Sequence, residues 1–163
     1  MYSSNKSIIL AGSIITTMWA QTSSHANTQQ VERVYGWGFA HFNYCIDPIN
    51  DGRIASMEFG FGHTLILLND GTLHAYGCSV GSGVDSAACG IPRDLGPAIA
   101  IAAGGAHNMA LLSNGSVRCW GNDSFGQCQV PKGLQGAAQI SAGGNTSFVR
   151  KNDGVIVGWG SDD

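Results

Sequence analysis

At 163 residues and 17.0 kDa the chain is one domain's worth of sequence, and its 44% apolar content excludes a disordered tail. Charged residues make up only 12%, the net charge is −3, and there is no Lys/Arg cluster, which excludes the basic footprint of a nucleic-acid binder. Glycine, at 24 residues, has roughly double its usual share and points to many turns between short strands.

The chain has an early positive charge at Lys6, then runs apolar or small from Ile8 to Ala20, and reaches Ser24-His25-Ala26, with small residues three before and one before a cut. That order of charge, apolar run and small residues is the pattern of a secretory signal peptide over residues 1–26, with Met18-Trp19-Ala20 as a second cutting point. The apolar run is too short to span a bilayer, which takes about 20 residues. Cleavage after Ala26 leaves residues 27–163 as the mature domain and, by removing Lys6, moves the net charge from −3 to −4. The expected product lies outside the cytoplasm, secreted or periplasmic, with no membrane attachment after cleavage.

The rest of the chain is organised by repeats. Trp37-Gly38, Tyr76-Gly77, Trp120-Gly121 and Trp159-Gly160 place their glycines in steps of 39, 44 and 39 residues. Four residues before each glycine stand Val34, Leu73, Val117 and Ile156, all aliphatic, and two before stand Gly36, Ala75, Cys119 and Gly158, all small. Positions two apart share one face of a strand, so each repeat carries a strand with a large and then a small residue on one side. The small column suggests the close approach of a neighbouring sheet or strand.

Gly71, Gly115 and Gly154 lie six residues before the last three of those glycines, in Asn69-Asp70-Gly71, Asn114-Gly115 and Asn152-Asp153-Gly154. These are hairpin signals, read as type I′ turns. Apolar strands precede them at 64–68, 108–112 and 147–150, and earlier strands lie at 54–57, 99–102 and 139–141. After Trp120-Gly121 a turn leads to a short fourth strand ending at Pro131. Four antiparallel strands in about 40 residues describe a β-propeller blade. The fold class expected is all-β, a partial β-propeller of about three to three and a half four-stranded blades. The units fall at 31–53 (partial), 54–97, 98–137 and 138–163 (partial), with a loop insertion inside 78–97.

The stretch from Ile99 to Pro131 resembles a repeat of the regulator of chromosome condensation family. It carries the paired glycines Gly104-Gly105, His107 before the hairpin, the Asn114-Gly115 turn, Trp120-Gly121 and Gly126-Gln127. The 54–97 unit matches through Gly77, the 138–160 unit through Gly160, and 31–53 keeps only Trp37-Gly38 and its approach strand. The resemblance implies a propeller, commonly of seven blades, which needs on the order of 280 residues. Three outcomes follow: a truncated relative, an open arc, or a homodimer in which two copies complete a ring.

His63 and His107 occupy one repeat position, and Thr146 stands there in the third unit. A residue repeated once per blade reads as structural, bonding backbone near the hairpin, rather than catalytic. His41 and His74 have no acidic partner evident in the sequence. No Cys-x2-Cys or His-x3-His spacing points to a metal, and no nucleophile elbow or phosphate loop points to catalysis or a cofactor. Gly81-Ser82-Gly83 reads as flexible loop, and Asp70 and Asp153 as turn residues.

All five cysteines follow the leader. Cys78 and Cys89 bracket the insertion and would close a loop of about a dozen residues, worth about 2–4 kcal/mol. Cys119 is either a buried thiol or a partner for Cys128 across the Trp-Gly loop, and Cys45 shares with Cys128 the seventh place after its repeat glycine. One cysteine is left over. Asn114-Gly115-Ser116, Asn122-Asp123-Ser124 and Asn145-Thr146-Ser147 fit the glycosylation triplet. Phe39, Phe42 and Tyr44 either fill a half-blade or form an exposed patch.

The function expected is an exported, non-catalytic protein-interaction module, not an enzyme. Its best contact candidates are the 78–97 insertion and the Asn122–Gln127 loop. The resemblance supplies one alternative, a guanine-nucleotide exchange factor-like regulator of a small GTPase. Others are a carbohydrate-binding propeller and a truncated fragment without independent function. The partner expected is a protein and not a nucleic acid.

Overall fold

A computed structural model describes residues 54–77 and 86–161. The leader, Trp37-Gly38, the aromatic cluster at 39–44, His41, Cys45, Cys78 and Gly81-Ser82-Gly83 lie outside the described residues. The strands run β1 (Ile54–Phe59), β2 (Thr64–Leu68), β3 (Leu73–Tyr76), β4 (Ala98–Ala103), β5 (His107–Leu112), β6 (Val117–Gly121), β7 (Ala137–Gly143), β8 (Thr146–Lys151) and β9 (Ile156–Gly160). One 3-10 turn, Ser86–Cys89, lies between β3 and β4. The strands form three antiparallel sheets, ordered β1–β2–β3, β4–β5–β6 and β7–β8–β9.

The repeat is exact enough that a local irregularity recurs. The first strand of each sheet slips register at the same place, between Ile54 and Ser56, Ala98 and Ala100, and Ala137 and Gln139. Such a bulge bends and twists a strand locally.

Each sheet has three strands among the described residues, not the four expected. The segment 122–136 makes turns where the sequence predicts a short fourth strand. Side chains consume the donors that a strand would offer to a ladder. Ser124 N–H donates to Asn122 Oδ1, Phe125 N–H to Gln127 Oε1 and Cys128 N–H to Asp123 Oδ1. A disulfide from Cys128 to Cys119 ties the segment back to β6, and Pro131 has no donor to give.

The hairpins differ from type I′ as well. Gly71 N–H donates to Leu68 C=O and Leu68 N–H to Thr72 C=O, closing a loop of three residues, 69–71, and the other two hairpins repeat both bonds. Only the glycine needs positive φ in this arrangement, at 86°, 80° and 86° for Gly71, Gly115 and Gly154. Asp70, Asn114 and Asp153 brace the turns by accepting from the N–H two residues on.

Cross-strand pairing explains the small column. Ala75 lies opposite Leu65, Cys119 opposite Met109 and Gly158 opposite Phe148. The small residue makes room for the large one beside it in the same sheet. A Cβ on Gly158 would come within 2.7 Å of the Phe148 ring. Between the first and second sheets a core forms from Leu65, Leu67, Leu73, Leu95, Ile101, Leu112 and Trp120. Between the second and third, fully buried apolar residues are fewer: Ala102, Met109 and Val149, with Trp159 and Ile140 half-buried against them.

Candidate functional site

His63 and His107 open the second strand of their sheets and are fully buried. They do not bond the backbone near the hairpin through the ring; each reaches the next sheet. His63 Nε2–H donates to Asn108 Oδ1 at 2.8 Å, and Asn108 Nδ2–H donates to Ala88 C=O at 2.7 Å. The indole of Trp120 donates to that same carbonyl at 3.2 Å. One sheet further on, His107 Nε2–H donates to Ser147 Oγ at 3.0 Å, whose hydroxyl donates to Gln127 C=O at 2.7 Å. The indole of Trp159 donates to Gln127 C=O at 2.8 Å.

Each clasp therefore has four parts: a histidine from one sheet, an Asn or Ser and a Trp from the next, and one loop carbonyl that accepts twice. Because Asn108 Oδ1 can only accept and the Ser147 hydroxyl is spent on a carbonyl, both imidazoles carry their proton on Nε2. Both Nδ1 atoms are buried and unpartnered. Burial pushes both pKa values below the ordinary 6.5; the bond to Asn108 partly opposes this at His63, and at His107 repulsion from His63, when that ring is protonated, adds to it while Asp123 opposes it. Burial thus favours the neutral form of both rings, each bonded through Nε2 to the next sheet.

The glycine columns exist to let this geometry close. The His107 ring packs against Gly104, where a Cβ would sit 2.1 Å from Cε1, and His63 packs likewise against Gly60. Gly121, at φ 107°, has the backbone of Ala106 against it, and a Cβ would meet the Ala106 oxygen at 2.6 Å. Tyr76-Gly77 and Trp159-Gly160 end their strands in the same way, beside Gly62 and Asn145. Thr146, in the histidine position of the third sheet, makes no such reach, so the clasps end there among the described residues.

The turns before the second strands and the loops after the third strands share one end of the structure. Asn122 N–H donates to Ala106 C=O, Phe61 N–H to Gly105 C=O and Gly105 N–H to Gly144 C=O. Phe61 and Phe125 project from this end, 69% and 54% exposed. Sequence reasoning placed the Asn122–Gln127 loop as a contact candidate but singled out neither Phe61 nor Phe125. The signal available was a phenylalanine standing where the other two repeats have a second glycine, Gly105 and Gly144.

Cys119 and Cys128 are joined in a disulfide, which resolves the alternatives left open by the sequence. Cys89 is also disulfide-bonded. The Asn145 triplet uses Ser147, whose hydroxyl is buried in the clasp, whereas Asn114 is exposed in its hairpin. Among the described residues no group of three His, Cys, Asp or Glu could hold a metal ion, and no helix is long and apolar enough to cross a membrane.

Repeated three-stranded sheets clasped side by side around glycine-lined turns are propeller blades. Residues 98–127 match the family model for the regulator of chromosome condensation (RCC1) repeat. No curated protein matches the chain. Among solved structures, the ectodomain of the Physcomitrella patens receptor kinase CR4 is similar at TM-score 0.62 and 20% identity, over 80% of this chain and 34% of that one. Prp20p from Saccharomyces cerevisiae, described with its binding to Gsp1p and histones, is similar at TM-score 0.54 and 20% identity, over 67% and 31%. The C-terminal domain of gp131 from bacteriophage phiKZ is similar at TM-score 0.57 and 19% identity, over 90% and 48%. The chain thus spans 31% to 48% of the length of these structures, and the likeness establishes the fold.

Proposed function

We propose that the chain is an exported, non-catalytic module that binds another protein through the loop end of its blades. The observation that carries this reading is the pairing of a rigid, internally bonded scaffold with Phe61 and Phe125 exposed at one end of it. Its histidines are neutral and bonded within the scaffold, so they serve cohesion rather than proton transfer. Binding surfaces commonly combine such fixed frames with apolar groups on loops. Receptor-kinase ectodomains and Prp20p use the same fold outside cells and in protein binding respectively, which makes export and partner recognition compatible. Within this reading residues 1–26 direct export, and Cys78 pairs with Cys89 in the mature domain. A guanine-nucleotide exchange reading draws on the Prp20p likeness alone.

The test has two arms. The full chain, expressed with a C-terminal tag, is expected outside the cytoplasm with an N-terminus at Asn27. Proteins cross-linked to it there should be lost with Phe61→Ser and Phe125→Ser, whose melting temperatures stay near wild type. A cytoplasmic, uncleaved product that accelerates nucleotide release from a small GTPase would favour the exchange reading. The solution mass of the exported chain decides between an open arc and a ring completed by two copies.

A further inference from the structure

Both clasp carbonyls stand directly before an oxidised cysteine. Ala88 precedes Cys89 and Gln127 precedes Cys128, although the two loops differ in length and sequence. In the second loop the consequence can be followed atom by atom. Gln127 C=O must sit where Ser147 Oγ and Trp159 Nε1, both from the third blade, converge on it. The next residue, Cys128, is anchored through its sulfur to Cys119, nine residues earlier on β6. Cys119 itself packs against the buried group formed by Ala102, Met109 and Val149 between the same two blades. The disulfide thus fixes the carbonyl on one side and takes part in the apolar contact on the other. Without it, the loop keeps the Gln127 side-chain bonds to Asn122 and Phe125, the exposed bond from Cys128 N–H to Asp123, the turn bonds from Gly126 N–H to Asp123 C=O and Gln129 N–H to Gly126 C=O, and a Cys119 sulfur 3.5 Å from Gln127 C=O, where a thiol would be only a weak donor.

We propose that the Cys119–Cys128 disulfide is a redox catch on the clasp between the second and third blades. A dithiol donor opens it by exchange: the donor's two thiols become a disulfide, and its two electrons and two protons convert the Cys119–Cys128 bond to two thiols. The loop then regains freedom, Gln127 C=O leaves the meeting point, and the third blade loses its polar anchor. The inference does not depend on the proposed function, since it concerns cohesion of the blades whatever they bind.

The experiment compares the indole N–H exchange of Trp159 and Trp120 in the full chain by NMR. In the double variant C119S/C128S, Trp159 exchange and the β8–β9 amides should accelerate by about tenfold or more, while Trp120 keeps its protection. Unchanged Trp159 exchange in that variant would overturn the proposal. If the variant does not fold, the wild-type chain is carried through a graded dithiothreitol series with thiol counting. Loss of Trp159 protection at an earlier step than global unfolding supports the catch. Loss of all protection in a single step, or none after both sulfurs are counted as thiols, overturns it.

Discussion

The interface between the first and second blades and that between the second and third share one polar frame and differ in what fills it. Both use a buried histidine, a small polar residue, a tryptophan and a doubly accepting carbonyl. The first is packed by nine buried apolar residues, including Leu65, Leu67 and Leu112. The second has three. The outward face of the third blade carries the trend further. The positions of Leu65 and Leu67 in the first blade become Met109 and Leu111 in the second, then Phe148 and Arg150 in the third. Phe148 is 42% exposed, and Arg150 donates to Gln139 in solvent. The polar frame therefore sets the geometry of neighbouring blades, while apolar filling sets how firmly they hold.

The largest test of that division removes apolar mass from each interface in turn. Leu65→Ala should cost about 4 kcal/mol and Met109→Ala about 2 kcal/mol. Both side chains are fully buried. The difference expected comes from their surroundings, because a cavity beside half-buried Ile140 and Trp159 can relax more than one inside the leucine cluster. Denaturant titration of the two variants measures it. Equal losses would mean that the two interfaces are equally firm.

The next test breaks the frame itself. Asn108→Ala removes one acceptor and one donor, leaving His63 Nε2–H and a share of Ala88 C=O without partners in a buried site, and should cost about 2–3 kcal/mol. Ser147→Ala removes a single hydroxyl from the looser interface and should cost about 1–2 kcal/mol. If the serine variant proves the more costly, the clasp rather than the filling holds the third blade.

Protonation strains the same frame without a mutation. Both histidines have folded pKa values lowered from 6.5, chiefly by burial. Above 6.5 both states are neutral and stability does not depend on them. Below it the unfolded chain takes up protons that the folded chain refuses, so stability falls until the folded pKa values are passed. Glu58, whose pKa burial raises from 4.5, acts in the opposite sense closer to that value. Unfolding free energy should therefore be lower at pH 5.5 than at pH 7.5. His63→Gln should flatten the difference, and a slope unchanged by that variant would assign the dependence to other groups.

Much of this architecture was legible in the sequence because a repeat shows each role several times. The aromatic-Gly ladder, the aliphatic and small columns, and the turn glycines all report backbone demands that recur in each blade. The clasp was not legible in the same way. Its partners change identity between repeats, Asn108 becoming Ser147 and Ala88 becoming Gln127, and one partner is a carbonyl that every residue has. The repeat position of His63 and His107 suggested a structural role, but not that the ring crosses to the next blade. The fourth strand failed for a local reason: Asn122, Asp123 and Gln127 bond the loop's own N–H groups, and alternation counts cannot see such competition. Phe61 was legible only as a break in the glycine column that Gly105 and Gly144 keep, and Phe125, a single aromatic in a turn, has no periodicity to read.

The smallest effect is expected where the first interface has a feature that the second lacks among the described residues. Arg118 on β6 reaches both carboxylate oxygens of Asp94 at 3.2 Å, linking the second blade to the connector that precedes it. Both contacts come from one guanidinium nitrogen, Nη2, rather than from the two-nitrogen fork of a strong pair, and the Arg118 and Asp94 side chains are 39% and 77% exposed. Water and salt screen such a pair, and ordering two exposed side chains offsets part of the attraction. Asp94→Asn should therefore change stability by about 0.5 kcal/mol or less, and the change should vanish at high salt. A loss near that of Asn108→Ala would mean that this surface link, and not the leucine filling, distinguishes the firmer interface from the looser one.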